Sequence, residues 1–185
     1  MGNVLTALWR QFIFSGNYKI VGLDNAGKTT TLFRLHMGET VATQPTVGSN
    51  VERVSCQSTN FEVWDLGGQA ALRPSWSAYY AATDAVILVV DSTDRARVGV
   101  ARAELFRLLA DPNLAKAAIL IFANKQDLPD AMSVAELSEA LALVDIKTHS
   151  WHVQPSCAIT GQGLEDGLKW IVRHVKSRDA VDALT

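Results

Sequence analysis

Long apolar runs are missing from this chain of 185 residues. The longest, near 85–90 and 117–123, fall far short of the roughly 20 residues that a membrane-spanning helix needs, so none is predicted. No cluster of Lys or Arg occurs, and 17 basic against 19 acidic residues leave a formal net charge of −2. A nucleic-acid partner is therefore not expected. Cysteine is scarce: Cys56 and Cys157 lie far apart in no metal-type spacing, which fits a reduced, cytosol-facing protein. His36, His149, His152 and His174 show no ligand spacing either and read as structural or surface residues. The first residues lack a basic start, and Arg10 and Gln11 interrupt their apolar character, so a secretory signal is not expected. There is no internal repeat or low-complexity tract. The length suits one domain, able to bury roughly 70% of its unfolded surface.

What is present is an alternation of short apolar strands and amphipathic helices. Residues 18–21, 85–90 and 117–123 read as buried parallel strands. Helices are predicted near 29–37, 97–110, 133–143 and 164–176, the third opened by Ser133 and Glu136 at capping-box spacing. A β-ribbon is predicted over 50–56 and 60–66, and a short strand over 151–154. The pattern is α/β: a single-domain, mostly parallel, doubly wound sheet flanked by helices, with its ligand at the carboxyl ends of the strands. Three segments are expected: an amphipathic helix over 1–14, the main domain over 15–176 and a tail over 177–185.

Residues 22–30 read GLDNAGKTT, a match to G-x-x-x-x-G-K-[ST] between a strand and a helix, the form of a phosphate-binding loop. The loop comprises Gly22, Leu23, Asp24, Asn25, Ala26, Gly27, Lys28, Thr29 and Thr30. Its glycines let consecutive N–H groups converge on one anion at the positive end of the helix. Lys28 can then reach the β and γ phosphates, and the Thr29 hydroxyl can hold magnesium.

Three further strings follow strand-like runs and narrow the nucleotide to guanine. WDLGGQ at 64–69 puts Asp65 at a strand end, suited to hold magnesium through water, and leaves the Gly68 N–H for a γ-phosphate. Gln69 then stands ready to orient a water. In NKQD at 124–127, the Asp127 carboxylate can accept from both N1–H and the exocyclic amine of guanine, a donor pair that adenine lacks. Asn124 and Lys125 would brace the loop and the base face. In SCAIT at 156–160, Cys157 and Ala158 lie beside the base, and the Ala158 N–H is a donor for O6.

With GLDNAGKTT, PTVG, WDLGGQ and NKQD in this order, the chain resembles the small GTPases, specifically the ADP-ribosylation factor (Arf) and Arf-like family. The resemblance runs from residue 2 to about 176. GSNVE at 48–52, DSTDRAR at 91–97 and WHVQPSCAITGQGL at 151–164 look most like one Arf-like subgroup. It implies a monomeric switch binding GTP, GDP and Mg²⁺, with Thr46 of PTVG closing on magnesium and γ-phosphate, and with 38–48 and 67–80 as the two switches. It also implies an exchange factor, a GTPase-activating protein and effectors that are tethering complexes. The setting implied is the cytoplasm and the cytosolic face of the trans-Golgi membrane, in vesicle trafficking. Hydrolysis by such a site is slow until a partner adds an arginine. Arg73 lies in the second switch and reads as a surface or structural residue there.

Val4, Leu5, Leu8, Trp9, Phe12 and Ile13 share one helical face, and Met1-Gly2 followed by Thr6 matches the N-myristoylation pattern at Gly2. One lipid chain holds a membrane only marginally, so the apolar face would supply a second signal; the alternative is a helix packed permanently on the domain. Ser49, where classical Arf proteins carry Phe, argues for a different effector set. Trp64, with Trp76 and Tyr79, is either an apolar effector patch or a set of ordinary half-buried aromatics. Two departures from the family stand out: a first strand two residues short between Ile20 and Gly22, and Ala70 where an acidic residue usually follows the glutamine. They leave open a scaffold that binds GTP without cycling. A small-molecule kinase would need an acceptor pocket and an arginine-rich lid that the sequence does not offer.

Overall fold

Alternation along the strands builds the molecule. In β4 (Ala85–Asp91) and β5 (Ala118–Asn124) nearly every residue is buried, because both faces of the sheet are covered. Val86, Leu88, Val90, Ile119 and Ile121 point to one core and Ala85, Ile87, Val89, Leu120 and Phe122 to the other. The computed structural model describes residues 15–38, 43–56 and 59–182. The amino-terminal helix expected over 1–14 lies outside the described residues.

Six strands form one sheet in the order β2-β3-β1-β4-β5-β6, with β1 at Ser15–Val21, β2 at Ser49–Cys56, β3 at Thr59–Leu66 and β6 at Trp151–Pro155. Among the described residues only the β2–β3 pair is antiparallel. Helices α1 (Lys28–Met37) and α4 (Leu164–Asp182) cover one face, burying Leu32, Leu164, Leu168 and Ile171. Helices α2 (Val98–Ala110) and α3 (Val134–Ala140) cover the other through Leu105, Leu108 and Leu137. After β1 the chain continues to one side through β3 and to the other through β4. The loop following β1 therefore stands at the switch point where such sheets bind ligands.

Within this sheet the first strand is as long as its central neighbours. β1 has seven residues, as many as β4 and β5, because Ser15, Gly16 and Asn17 pair with Asn60, Phe61 and Glu62 despite their polar character. The predicted helix 133–143 stops at Ala140: Ala142 adopts φ 54°, and a 3₁₀ turn follows at Leu143–Asp145. Its capping box is present, with the Glu136 N–H donating to Ser133 Oγ and the Ser133 N–H to Glu136 Oε2. The last helix runs to Asp182, so the boundary expected at 177 falls inside α4.

Lys19 in β1 is buried, its ammonium 4.5 Å from the Trp64 ring and donating to Asn17 Oδ1 at 2.7 Å. Burial pushes its pKa from 10.5 down to about 8, against the pull of Glu62 and Asp84. Between those values the unfolded chain binds more protons than the folded one, so this group makes stability rise with pH. Lys19→Met should flatten the rise of melting temperature from about pH 8 to 10.5 relative to the parent. An unchanged slope would show that Lys19 does not titrate in that window.

Candidate nucleotide site

The carboxyl ends of β1, β3, β5 and β6 carry the four sequence strings to one rim of the sheet. Strand register aligns them: Ile20 is level with Asp65, and Asp91 with Asn124. Past β1 the backbone turns sharply at Gly22, whose φ of 144° and position against the Val89 carbonyl leave no room for a Cβ. Asn25, at φ 62°, continues the curl; a short amide side chain is among the few that tolerate this region. A cavity of about 330 Å³ opens over the loop, lined on one side by Asp24, Asn25, Gly27, Lys28, Thr29 and Thr30. Pro45, Thr46, Gly68 and Gln69 face them.

At the cavity floor three side chains meet. Thr29 Oγ1 donates to Asp65 Oδ2 at 2.5 Å, Thr46 Oγ1 donates to the same oxygen at 3.0 Å, and the two hydroxyls lie 3.0 Å apart. Asp65 Oδ1 is buried with no hydrogen-bond partner among the described residues. Burial pushes the Asp65 carboxyl above its ordinary range, although Thr29, Lys28 and Thr46 pull it back. Two hydroxyls and a carboxylate with a spare oxygen make a hard, all-oxygen donor set, which fits a small divalent cation. Lys28 is buried and donates to the Leu23 carbonyl at 2.8 Å, and burial pushes its pKa down to about 8. An incoming phosphate would replace that carbonyl and favour the charged ammonium further.

The base-side strings divide their labour. Asn124 is buried; its Nδ2 donates to Ala26 O at 2.9 Å, and its Oδ1 accepts from the Ala158 N–H at 2.9 Å. One side chain thus ties the phosphate loop to the SCAIT loop, the bracing predicted for it. The Ala158 N–H, the donor expected for O6, here donates to Asn124. Lys125 pairs with Asp91 at 2.6 Å. Asp127 is exposed on the loop, and Cys157 is buried, its sulfur accepting from the Thr160 N–H.

Several contributors escaped sequence reasoning. Asp91, at the end of β4, anchors Lys125 and Thr93; its position closing the apolar run 85–90 was the available signal. Gln126 Nε2 donates to Ser92 Oγ and to Met132 O, holding the NKQD turn. Arg97 donates to Asp24 Oδ1 at 3.0 Å. Partial burial works against charge on Asp24, but Arg97 and Arg73 together hold its carboxyl below the ordinary range. Arg73 also donates to Gly68 O at 2.8 Å and lies 3.7 Å from buried Glu104, the structural role predicted for it.

The expected effector patch is corrected in one member. Trp76 is only 3% exposed, because the 3₁₀ turn Arg73–Tyr79 folds its ring inward and its indole N–H donates to Gly67 O. Trp64 and Tyr79 are half-buried, with ring centroids 6.0 Å apart. Ser49 opens β2 opposite Leu66.

A phosphate loop after the first strand, with NKQD and SCAIT braced onto it through one asparagine, defines a P-loop GTPase. Residues 5–175 match the model of the ADP-ribosylation factor family, and the chain belongs to that family. It is similar to mouse ADP-ribosylation factor-like protein 5A, 53% identical over 96% of this chain and all of that protein. It is likewise similar to ADP-ribosylation factor-like protein 5 of Dictyostelium discoideum, 54% identical over 94% of this chain and 96% of that one. Among solved structures, the Arl6 BBS3 small GTPase from Trypanosoma brucei with bound nucleotide analogue GppNp superposes with a TM-score of 0.81 at 32% identity. That match covers 88% of this chain and 98% of the other. The chain is accordingly a small GTPase that binds guanine nucleotide and hydrolyses GTP.

Proposed function

We propose that this GTPase is a magnesium-dependent membrane switch that recruits tethering effectors to the cytosolic face of the trans-Golgi in vesicle trafficking. The observation that carries the reading is the seating of Thr46, from the first switch, against Thr29 and Asp65. A switch closed onto the cation site is the arrangement a triphosphate would hold. Thr29 and Thr46 would ligate Mg²⁺ directly, with Asp65 behind them. Held there, such an ion would supply positive charge against the phosphate charge that develops during transfer. Gln69, exposed at the cavity edge, orients water, and a partner's arginine completes the site.

Membrane coupling finds support in β2. It is an edge strand, and of its residues only Val54 and Cys56 are buried. A two-residue slide against β3 keeps every side chain on its face and costs little burial. Such a slide would displace a myristoylated amphipathic segment over 2–13 from the domain and free it for the bilayer. The trans-Golgi setting is carried over from the resemblance to the Arf-like family. A seven-residue β1, matching β4 and β5, weighs against the rival scaffold.

Myristoylated protein loaded with a non-hydrolysable GTP analogue should co-sediment with lipid vesicles, and GDP-loaded protein should stay in solution. Removing residues 2–14 should abolish sedimentation. Equal sedimentation in both nucleotide states, or binding retained after the deletion, would refute the coupling.

A further inference from the structure

Trp76 alone of the described tryptophans is fully buried. Its indole N–H donates to the Gly67 carbonyl at 2.9 Å, and among the described residues that carbonyl accepts from nothing else. A trans peptide carries its C=O and the following N–H on opposite edges of one plane. Holding the Gly67 oxygen on the tryptophan side therefore holds the Gly68 N–H on the other side. Gly68 lines the phosphate cavity there, packed so closely on Lys28 and the Gly22–Leu23 backbone that a Cβ would overlap them. Gly68 is buried, and its N–H has no hydrogen-bond partner among the described residues. A buried donor without an acceptor, beside a polar cavity, calls for one from a ligand.

The neighbouring peptides are fixed by other groups. The Gly67 N–H donates to Gly48 O at 3.0 Å, and Gly68 O accepts from the Asp24 N–H at 3.1 Å and from Arg73 Nε at 2.8 Å. Only the plane between Gly67 and Gly68 depends on the indole.

We propose that Trp76 is a positioning residue for the third phosphate: its indole N–H fixes the Gly67–Gly68 peptide so that the Gly68 N–H meets the γ-phosphate of GTP. The proposal rests on reading this cavity as the guanine-nucleotide site. GDP has no atom at that position, so the bond favours the triphosphate over the diphosphate. By linkage the γ-phosphate strengthens the indole bond in return.

Trp76→Phe keeps an aromatic ring in the core while removing the indole donor and part of the ring volume. With the full chain and magnesium, fluorescent GDP should bind within twofold of the parent. A non-hydrolysable GTP analogue should bind about tenfold more weakly, the scale of one hydrogen bond to a charged group. A core-filling role alone would weaken both nucleotides alike or neither, and either result overturns the proposal. If the parent chain binds neither nucleotide, the reading of the cavity fails and not the role of Trp76. Should the Phe variant not fold, ¹⁵N-indole labelling of the parent decides: the Trp76 indole proton should exchange more slowly with the GTP analogue than with GDP. Equal exchange in the two complexes overturns the proposal.

Discussion

Replacing Asp127 with Ala should lower the preference for GTP over ATP by about 10⁴-fold, the discrimination available to a site that hydrogen-bonds one ligand and leaves groups unpaired with the other. The other members of its string are already committed. Asn124 spends its side chain on Ala26 and Ala158, Lys125 on Asp91, and Gln126 on Ser92 and Met132. The Asp127 carboxylate is exposed and makes no hydrogen bond among the described residues, so it remains to read the base and its loss leaves the fold intact. Competition of unlabelled GTP and ATP against a fluorescent guanine nucleotide measures the ratio. An unchanged ratio with an unchanged melting temperature would remove Asp127 from base recognition.

Gln69→Leu should slow GTP hydrolysis in the presence of a GTPase-activating protein by about 10²–10³-fold, the cost typical of removing one preorganised polar group from a transition state. The Gln69 carbonyl accepts from the Leu72 and Arg73 N–H groups, which fixes its backbone while its exposed side chain faces the cavity. Leucine keeps the backbone bonds and the bulk and loses only the polar end. Nucleotide affinity should therefore stay within a few fold, and the GTP-bound fraction should rise. Single-turnover hydrolysis with saturating activator measures the rate. A rate equal to that of the parent would assign the positioning of water to another group.

The contiguous strings were legible in the sequence because their chemistry is local: a loop that cradles phosphate needs its glycines, lysine and threonine within nine consecutive residues. The buried strands were legible for the same reason, since a run such as Ala118–Asn124 has a single physical explanation in a chain of this length. What could not be read depends on partners brought together by the fold. Arg97 reaches Asp24 across 73 positions. The indole of Trp76 reaches Gly67 only because the 3₁₀ turn doubles back, which takes Trp76 out of the aromatic set expected with Trp64 and Tyr79. β1 begins at Ser15 because β3 supplies the ladder partners, a tertiary override of weak strand propensity. The end of α4 at Asp182 was misplaced because polar residues after 176 were read as a tail.

The most direct measurement is the dissociation rate of labelled GDP, GTP and ATP from the purified chain, with magnesium and after chelation. Slow release of both guanine nucleotides, rapid release of ATP and a marked acceleration on chelation are expected from a closed Thr29–Thr46–Asp65 cluster beside a braced NKQD loop. Rapid release of all three nucleotides, or release indifferent to the base and to magnesium, would contradict the account.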